Sequence, residues 1–218
     1  MKATTFDLLH GIPALPVVAF QKLEQAVPIT RALNAGGLRA IEVTLRTECA
    51  LDAIYLLSRE VPEALIGAGT IADVGQLRAV KAAGAKFAIS PGLTMDLLRS
   101  ARDIDMPYLP GVATASEIMS GLSQGYTEFK FFPASAAGGP NMLKAWAAPF
   151  PDVVFCPTGG IDPGNLGAYL ALPNVRMVGS SWMLPGAAIA NGDWHEVETR
   201  ARSFVTAIMA AKTGSTSV

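Results

Sequence analysis

Short runs rich in β-forming residues alternate with longer amphipathic stretches along almost the whole chain, and this alternation limits the folds the chain can adopt. Eight such units in 218 residues average about 27 residues each, a spacing typical of parallel strands joined by crossover helices. The predicted strands span residues 14–20, 40–44, 65–69, 87–90, 108–111, 128–132, 153–156 and 176–179. The pattern therefore predicts an α/β fold with a parallel sheet.

The stretches between these strands carry apolar residues at helical spacing. Predicted helices span residues 26–34, 50–61, 74–83, 95–104, 115–123, 142–147 and 165–172, and a last helix follows Asp193. Asp73, Thr94 and Thr114 each precede a predicted helix and belong to the residue types that cap helix amino termini. Glycines just past the apolar stretches, at positions 36–37, 84 and 125, indicate helix ends.

A closed barrel fits eight units better than an open doubly wound sheet. An open sheet usually has fewer strands, and its first strand tends to lead into a G-x-G-x-x-G turn. Here the first strand leads into Phe20, Gln21 and Lys22 instead. We therefore predict a (β/α)8 TIM barrel with an N-terminal helix, in a single domain over residues 1–218. No linker is apparent, and the low-complexity segment is confined to residues 213–218.

The composition restricts the class of partner. Half of the residues are hydrophobic and 16% are charged, which favours a large buried core. The net charge is −1 and lysines and arginines do not cluster, so we expect no nucleic-acid partner. Every apolar stretch is interrupted before the roughly 18 residues that a membrane span needs. Residues 1–12 lack the apolar core of a signal peptide, so we expect a cytoplasmic protein without a membrane partner.

Metal-ligand spacing is also missing from the sequence. Cys49 and Cys156 are too few for a disulfide framework, and His10 and His195 have no second ligand at zinc-motif spacing. We therefore predict no metal site and no cofactor. A magnesium site made of carboxylates stays open at this stage, because spacing alone does not exclude it.

Lys130 is surrounded by phenylalanines in a predicted strand, Glu128-Phe129-Lys130-Phe131-Phe132. Strand alternation puts Phe129 and Phe131 on one face and Lys130 on the other. If the two phenylalanines face the helices, Lys130 points into the barrel, where loss of solvation favours the free, nucleophilic amine. The structural alternative is a lysine neutralised by Glu128 or Glu42, because lysine is almost never buried without a partner.

Glu42 lies in the second predicted strand, Ala40-Ile41-Glu42-Val43-Thr44. The parity of Ile41 and Val43 places Glu42 and Thr44 on the inward face. A glutamate inside a barrel needs either a cation or a chemical task. Pairing with Lys130 satisfies the first need, and the same proximity would let Glu42 move protons to and from an intermediate on Lys130. The pair alone is compatible with both interpretations.

Two glycine-containing loops follow the last two strands. They read Thr158-Gly159-Gly160-Ile161 and Gly179-Ser180-Ser181-Trp182. Free backbone N–H groups and a hydroxyl can form an anion-binding loop, and the loops after strands seven and eight are the recurrent phosphate site of TIM barrels. The structural alternative is that both loops are tight turns between strand and helix and bind no ligand. Arg46, just past the second strand, could hold a substrate carboxylate or be a solvated surface residue.

Five strings together resemble the bacterial 2-keto-3-deoxy-6-phosphogluconate (KDPG) aldolases, a family also known as 4-hydroxy-2-oxoglutarate (KHG) aldolases. They are IEVTLRT at 41–47, GAGT at 67–70, FAISPG at 87–92, FKFFP at 129–133 and FCPTGGI at 155–161. The resemblance runs from about Leu15 to about Trp194. Each string is short, but the set in this order is specific.

The resemblance implies a class I, metal-free aldolase of the Entner–Doudoroff pathway, cytoplasmic and homotrimeric, whose partners are small-molecule substrates. It implies that Lys130 forms the Schiff base and Glu42 is the general acid/base. The other implied site residues are Arg46 and Thr70 for the substrate carboxylate, Gly159, Gly160 and Ser181 for the phosphate, and Pro91, Phe132 and Thr158 as pocket lining. Ser180 departs from the pattern, since relatives often have glycine there, and its side chain could re-tune the phosphate site.

The expected reaction is cleavage of KDPG to pyruvate and glyceraldehyde 3-phosphate, with activity also on KHG. Three alternatives remain. The same machinery could prefer the galactonate-derived epimer, because the sequence does not reveal the C4 stereochemistry, or could act on unphosphorylated KHG alone, which the phosphate-like loops disfavour. A non-catalytic sugar-phosphate-binding barrel would use Lys130 and Glu42 only as an ion pair. A metal-dependent aldolase is disfavoured by the lack of histidine ligands.

Overall fold

The computed structural model describes residues 4–214, with side chains described as far as Lys212. Most of the predicted low-complexity segment 213–218 lies outside the described residues. The strands are β1 (Ala14–Val18), β2 (Ala40–Thr44), β3 (Leu65–Gly69), β4 (Phe87–Ile89), β5 (Tyr108–Leu109), β6 (Gly111–Val112), β7 (Glu128–Phe131), β8 (Val154–Pro157) and β9 (Val178–Ser180). All paired strands run parallel, as predicted.

The helices alternate with the strands. They are α1 (Thr5–Leu8), α2 (Ala26–Ala35), α3 (Ala50–Glu60), α4 (Val74–Ala82), α5 (Met95–Asp103), α6 (Ala115–Ser123), α7 (Gly139–Trp146), α8 (Leu166–Leu170), α9 (Gly186–Asn191) and α10 (Trp194–Gly214), with a 3-10 turn at Leu23–Gln25. The predicted caps are confirmed, because the side chains of Asp73, Thr94 and Thr114 each accept the backbone N–H three residues ahead. The N-terminal helix is also present, as the single turn α1.

The strands form two parallel sheets, one with the order β5-β4-β3-β2-β1-β9 and one with the order β6-β7-β8. The predicted strand 108–111 is divided into β5 and β6 because Pro110, between them, has no N–H to donate to a neighbouring strand. At the other edge, single bridges join Phe155 to Val175 and Thr158 to Gly179. The architecture is therefore an α/β fold with a curled parallel sheet.

Side chains pack on both faces of this sheet. Towards the helices, Phe131 meets Trp146 edge-on at 5.3 Å between ring centroids, and both are buried. Inside the curl, Leu15, Phe87, Ile89, Leu109, Cys156 and Met177 form a second cluster with Phe6 and Leu9, which come from α1 and the residue after it. Phe129 and Phe131 thus face the helices, as the parity of β7 predicts.

Helix α1 covers the amino-terminal end of the curl. Its Phe6 N–H donates to Glu128 Oε2 at 2.9 Å. Glu128 is therefore occupied at the amino end of β7 and forms no ion pair with Lys130, which removes one of the two carboxylates considered as its partner. In the described part of the chain, no helix combines the length and apolar character needed to cross a bilayer.

Candidate active site

Lys130 and Glu42 are in contact inside the curl. Lys130 Nζ lies 2.9 Å from Glu42 Oε1, and the exposed fractions of the two side chains are 6% and 1%. The strands β7 and β2 that carry them are not adjacent, so the contact spans the interior. Each charge of this buried pair needs the other, because a single unpaired charge would be left in a medium of low polarity.

A glycine on the neighbouring strand makes room for the carboxylate. A Cβ atom added at Gly69 would overlap Oε1 and the side-chain carbons of Glu42. The other oxygen, Glu42 Oε2, is buried and accepts no hydrogen bond from the described residues. Glu42 therefore offers one oxygen to Lys130 and keeps a second acceptor free.

An aromatic ring and a thiol lie beside Lys130. Its Nζ lies 5.1 Å from the centre of the Phe132 ring, within reach of a cation–π interaction. Cys156 is the neighbour of Lys130 on β8, and burial raises the pKa of its thiol to about 12, with Lys130 partly opposing that rise. The thiol is thus protonated at neutral pH and is no competing nucleophile. Of the two groups, the Lys130 amine and the Cys156 thiol, only the amine is suited to attack a carbonyl carbon here.

Arg46 is held by the strand that carries Glu42. Its Nε donates to Thr44 Oγ1 at 3.1 Å, and the Thr44 hydroxyl donates in turn to the Val18 carbonyl at 2.9 Å. Since Nε is occupied, the two terminal nitrogens of the guanidinium form the free edge of the side chain. That edge suits a bidentate contact with a carboxylate.

A cavity of about 390 Å³ opens at the carboxyl ends of the strands. Six of the predicted site residues line it, namely Arg46, Phe132, Thr158, Gly159, Gly160 and Ser181. Lys130 and Glu42 are not in its wall, but Lys130 adjoins it through the Phe132 ring. These six residues lie at one end of the sheet because the carboxyl ends of parallel strands meet at a common edge.

The glycine loop has a backbone that other residues adopt only with strain. Gly159 has φ 104° and Gly160 has φ 73°, both in the left-handed region. A Cβ added at Gly160 would also lie 2.5 Å from Ser135 Oγ. The two glycines are therefore required by the shape of the loop, whatever it binds.

The side chain of Ser180 is hydrogen-bonded within the protein. Its side chain is buried and donates to the Ile161 carbonyl at 2.6 Å, while accepting the Trp182 N–H at 3.1 Å. The hydroxyl thus ties the end of β9 to the loop after β8. It is engaged inside the protein, although part of Ser180 still contributes to the cavity wall.

Two predicted residues lie apart from the cavity wall. Thr70, directly after β3, has φ 64°, which is unusual for a residue with a β-branched side chain. Pro91, after β4, is exposed, and its backbone passes so close to Gly111 that a Cβ there would overlap it. Both are at carboxyl ends of neighbouring strands.

Sequence reasoning missed several residues of the cavity wall, among them Val17, Asp162 and Trp182. Val17 is apolar in an apolar strand, and nothing in its local pattern marks it as functional. Trp182 could have been predicted more easily than Val17, since it directly follows Ser181 at the end of the last strand. Thr44 was placed on the inward face, but its contact with Arg46 is visible only in three dimensions.

Two other cavities, of about 200 and 440 Å³, flank α1 at the opposite end of the strands. Neither contains the Lys130–Glu42 pair, and α/β barrels place their reactive groups at the carboxyl ends. Within residues 4–214, no three His, Cys, Asp or Glu side chains lie close enough together to hold a metal ion. A curled parallel α/β sheet with a buried amine–carboxylate pair beside a carboxyl-end cavity is an arrangement that suits an enzyme of amine-based carbonyl chemistry.

Comparison with known proteins gives the family. The model of the KDPG and KHG aldolase family matches residues 7–200, and the chain therefore belongs to that family, whose members are lyases. It is 51% identical over 204 residues to the KHG/KDPG aldolase of Escherichia coli K12, covering 94% of this chain and 96% of the relative. It is 50% identical over 204 residues to the 2-dehydro-3-deoxy-phosphogluconate aldolase of Pseudoalteromonas atlantica, covering 94% and 95%.

Solved structures agree with this assignment. The KDPG aldolase of Legionella pneumophila, with pyruvate captured at low pH as a covalent carbinolamine intermediate, superposes with a TM-score of 0.88 and is 49% identical, covering 91% of this chain and 96% of that one. A structure described as native KDPGal has a TM-score of 0.83 but is 26% identical, covering 98% and 100%.

Proposed function

We propose that this chain is a class I Schiff-base aldolase that cleaves KDPG to pyruvate and glyceraldehyde 3-phosphate and also acts on KHG. The observation that carries the proposal is the buried contact of 2.9 Å between Lys130 Nζ and Glu42 Oε1. An ion pair alone would explain the contact. The unpartnered Oε2 of Glu42, the adjoining cavity and the names of the half-identical relatives support a catalytic role instead.

We also propose that the curled sheet closes into an eight-stranded barrel in one domain. Pro110 alone separates β5 from β6, so these two pairs of residues act as one interrupted strand between β4 and β7. The single bridges of Phe155 and Thr158 support the remaining closure between β8 and β9. A closed barrel has no free edge, which favours it over an open arrangement.

The reaction begins with proton transfer inside the pair. Glu42 accepts a proton from the Lys130 ammonium across their contact, and the neutral amine attacks the C2 ketone of the substrate. One proton of the attacking nitrogen moves to the C2 oxygen, which gives the neutral carbinolamine, and Glu42 then donates the proton that it holds to the C2 hydroxyl, which leaves as water. The product is an iminium ion between Lys130 and C2, and it can accept an electron pair from C3.

Bond cleavage follows from the same two residues. Glu42, directly or through water, takes the proton of the C4 hydroxyl. The C4 oxygen forms the aldehyde carbonyl while the C3–C4 bond breaks. The electron pair of that bond moves towards the iminium nitrogen, which forms an enamine. Protonation at C3 and hydrolysis of the iminium release pyruvate and free Lys130.

The two ends of the substrate are held by different kinds of donor. The free edge of Arg46 and the hydroxyl of Thr70 are assigned to the carboxylate, and the loop of Gly159 and Gly160 with Ser181 to the phosphate. Pro91, Phe132 and Thr158 are assigned to the pocket wall between them. Binding at both ends fixes C2 against Lys130, which lowers the entropic cost of reaching the reactive geometry.

The gluconate-derived substrate is favoured over its galactonate epimer. Relatives at about half identity carry phosphogluconate or combined names, whereas the KDPGal structure shares 26% of its residues with this chain. We further propose a cytoplasmic homotrimer acting in the Entner–Doudoroff pathway, for which the family resemblance is the support.

Borohydride trapping tests the central proposal. Incubation with pyruvate and borohydride should reduce the imine and leave a stable three-carbon adduct on Lys130, identified by peptide mass mapping. Lys81, Lys86 and Lys144 are exposed and serve as internal controls. An adduct confined to these exposed lysines would contradict the assignment of Lys130, and the absence of any pyruvate-dependent adduct would contradict the reaction class.

Metal removal should leave the activity intact. The proposed steps use only the Lys130 amine and the Glu42 carboxylate, so prolonged treatment with EDTA should not change kcat or KM for KDPG. The measurement is a coupled assay for pyruvate before and after dialysis against the chelator. Loss of turnover that added zinc or magnesium restores would refute the metal-independent mechanism.

A negative charge at Ser181 should act selectively on the phosphorylated substrate. Ser181 is exposed in the cavity wall, so Ser181→Asp introduces a like charge near the phosphate with little strain. The ratio of kcat/KM for KDPG to that for KHG should fall by about tenfold or more, since two like charges about 4 Å apart repel by about 1 kcal/mol in water and by more beside a protein surface. Ser181→Asn is the neutral control of the same size. Equal effects of the two variants would argue against phosphate binding beside Ser181.

A further inference from the structure

The loop after β8 is held from one side through its carbonyl groups. The N–H of Ala134 donates to the Thr158 carbonyl at 2.8 Å, and the N–H of Ser135 donates to the Gly159 carbonyl at 3.1 Å. The segment that follows β7 therefore runs alongside the glycine loop and binds two successive carbonyls.

The third carbonyl of the loop is held by two side chains. The Gly160 carbonyl accepts a hydrogen bond from Asn165 Nδ2 at 2.7 Å and another from Ser135 Oγ at 3.0 Å. The Asn165 side chain also accepts the N–H of Asp162 at 3.1 Å through its Oδ1 atom. Both ends of this amide are therefore engaged with the loop backbone.

These bonds determine where the loop N–H groups point. In a trans peptide unit the C=O and N–H bonds are antiparallel, so a carbonyl fixed on one side sends the next N–H to the other. The N–H groups concerned are those of Gly159, Gly160 and Ile161, and those of Gly160 and Ile161 donate to no other group in the described part of the chain. All three residues line the cavity, whereas Ser135 and Asn165 do not. The N–H groups therefore face the cavity.

We propose that Ser135 and Asn165 are positioning residues for phosphate binding, and that the Ile161 N–H is a third backbone donor beside those of Gly159 and Gly160. The inference rests on the proposed function, because the anion is the phosphate of the substrate. The row of donors ends at Ile161, since the next N–H, that of Asp162, is already bonded to Asn165.

The chemistry of the loop explains why its carbonyls must be fixed. No lysine or arginine occurs between Phe155 and Arg176, so this loop can bind an anion only through neutral donors. Convergent backbone N–H groups bind phosphate well when they are oriented before the ligand arrives. A Gly160–Ile161 peptide that is free to rotate would instead present its carbonyl oxygen to the phosphate, which would repel it.

Ser135→Ala and Asn165→Ala test the proposal, with Ser135→Thr as the variant that retains the hydroxyl. The measured quantity is the ratio of kcat/KM for KDPG to kcat/KM for KHG. Each alanine variant should lower this ratio by about two- to tenfold, the scale of one hydrogen bond, mainly through KM for KDPG. Ser135→Thr should restore the wild-type ratio. Ser123→Ala is the matched control, because Ser123 Oγ also donates to a backbone carbonyl, that of Ser120 at 2.7 Å, on the distant helix α6.

The outcomes separate this inference from the proposed function. If the wild-type protein prefers KDPG but neither alanine variant changes the ratio, the positioning role is wrong while the phosphate assignment stands. If both substrates lose equally, the two side chains only support the fold, which a matching fall in thermal stability would show. If the wild-type protein has no preference for the phosphorylated substrate, the phosphate assignment fails and the inference fails with it. Because Ser135 is exposed, Ser135→Ala remains informative even where Asn165→Ala folds poorly.

Discussion

Lys130→Arg should abolish turnover while leaving the protein folded. A guanidinium keeps the positive charge opposite Glu42 but cannot form an imine with a ketone. The expected loss in kcat on KDPG is about 10⁴- to 10⁶-fold, the scale on which removal of a catalytic nucleophile acts. The measurement is steady-state pyruvate release, together with borohydride trapping, which should yield no adduct at position 130.

The control for this variant is Lys86→Arg, an identical exchange at an exposed lysine. It should retain wild-type kcat and wild-type trapping at Lys130. Thermal unfolding of both variants identifies any loss that comes from misfolding, because the longer arginine side chain enters a closely packed interior. A folded Lys130→Arg protein with more than a small fraction of wild-type activity would show that Lys130 is an ion-pair partner and not the nucleophile.

Glu42→Gln should have the second largest effect on catalysis. Glutamine has almost the same shape as glutamate but cannot exchange a proton at the C2 and C4 oxygens. The expected loss in kcat is about 10²- to 10⁴-fold, as for other positioned acid–base groups. Trapping of pyruvate should become slower, since Glu42 also assists the formation of the imine.

Stability has to be measured beside activity for this variant. Removing one partner of a buried ion pair lowers the free energy of unfolding by about 3–5 kcal/mol when the other charge stays buried. Glu63→Gln, at an exposed glutamate, is the matched control and should change neither quantity. Full activity in a well-folded Glu42→Gln protein would leave Glu42 with a purely structural role.

Much of the fold is predictable from local patterns. The 2-residue periodicity that places Lys130 inward and Phe131 outward holds in the structure, and so do the three threonine and aspartate caps. Helix α9 was not predicted, because the stretch Gly186–Asn191 is made of small residues without an amphipathic period. The last strand was predicted at 176–179 but lies at Val178–Ser180, a shift that arises because its pairing with β1 sets its bounds.

The site divides in a similar way between predictable and unpredictable parts. Lys130 and Glu42 are detectable because a charged residue on the inward face of an apolar strand has few structural explanations. The loop contacts of Ser135 and Asn165 are not detectable, because they join segments separated in the chain by 25 and 5 residues through backbone carbonyls. Backbone acceptors leave no residue-specific trace in a sequence. The hydrogen bonds of Ser180 were not detectable for the same reason, since its hydroxyl donates to the Ile161 carbonyl.

The space beside Glu42 limits how the Lys130–Glu42 pair can be built into another protein. Glu42 fits beside Lys130 because Gly69, on the adjacent strand, has no side chain to fill the same volume. A designer who grafts only an amine and a carboxylate onto another parallel scaffold would introduce a steric clash or a misdirected acid. The minimal unit to copy therefore has three positions on three strands, and the third must remain without a side chain.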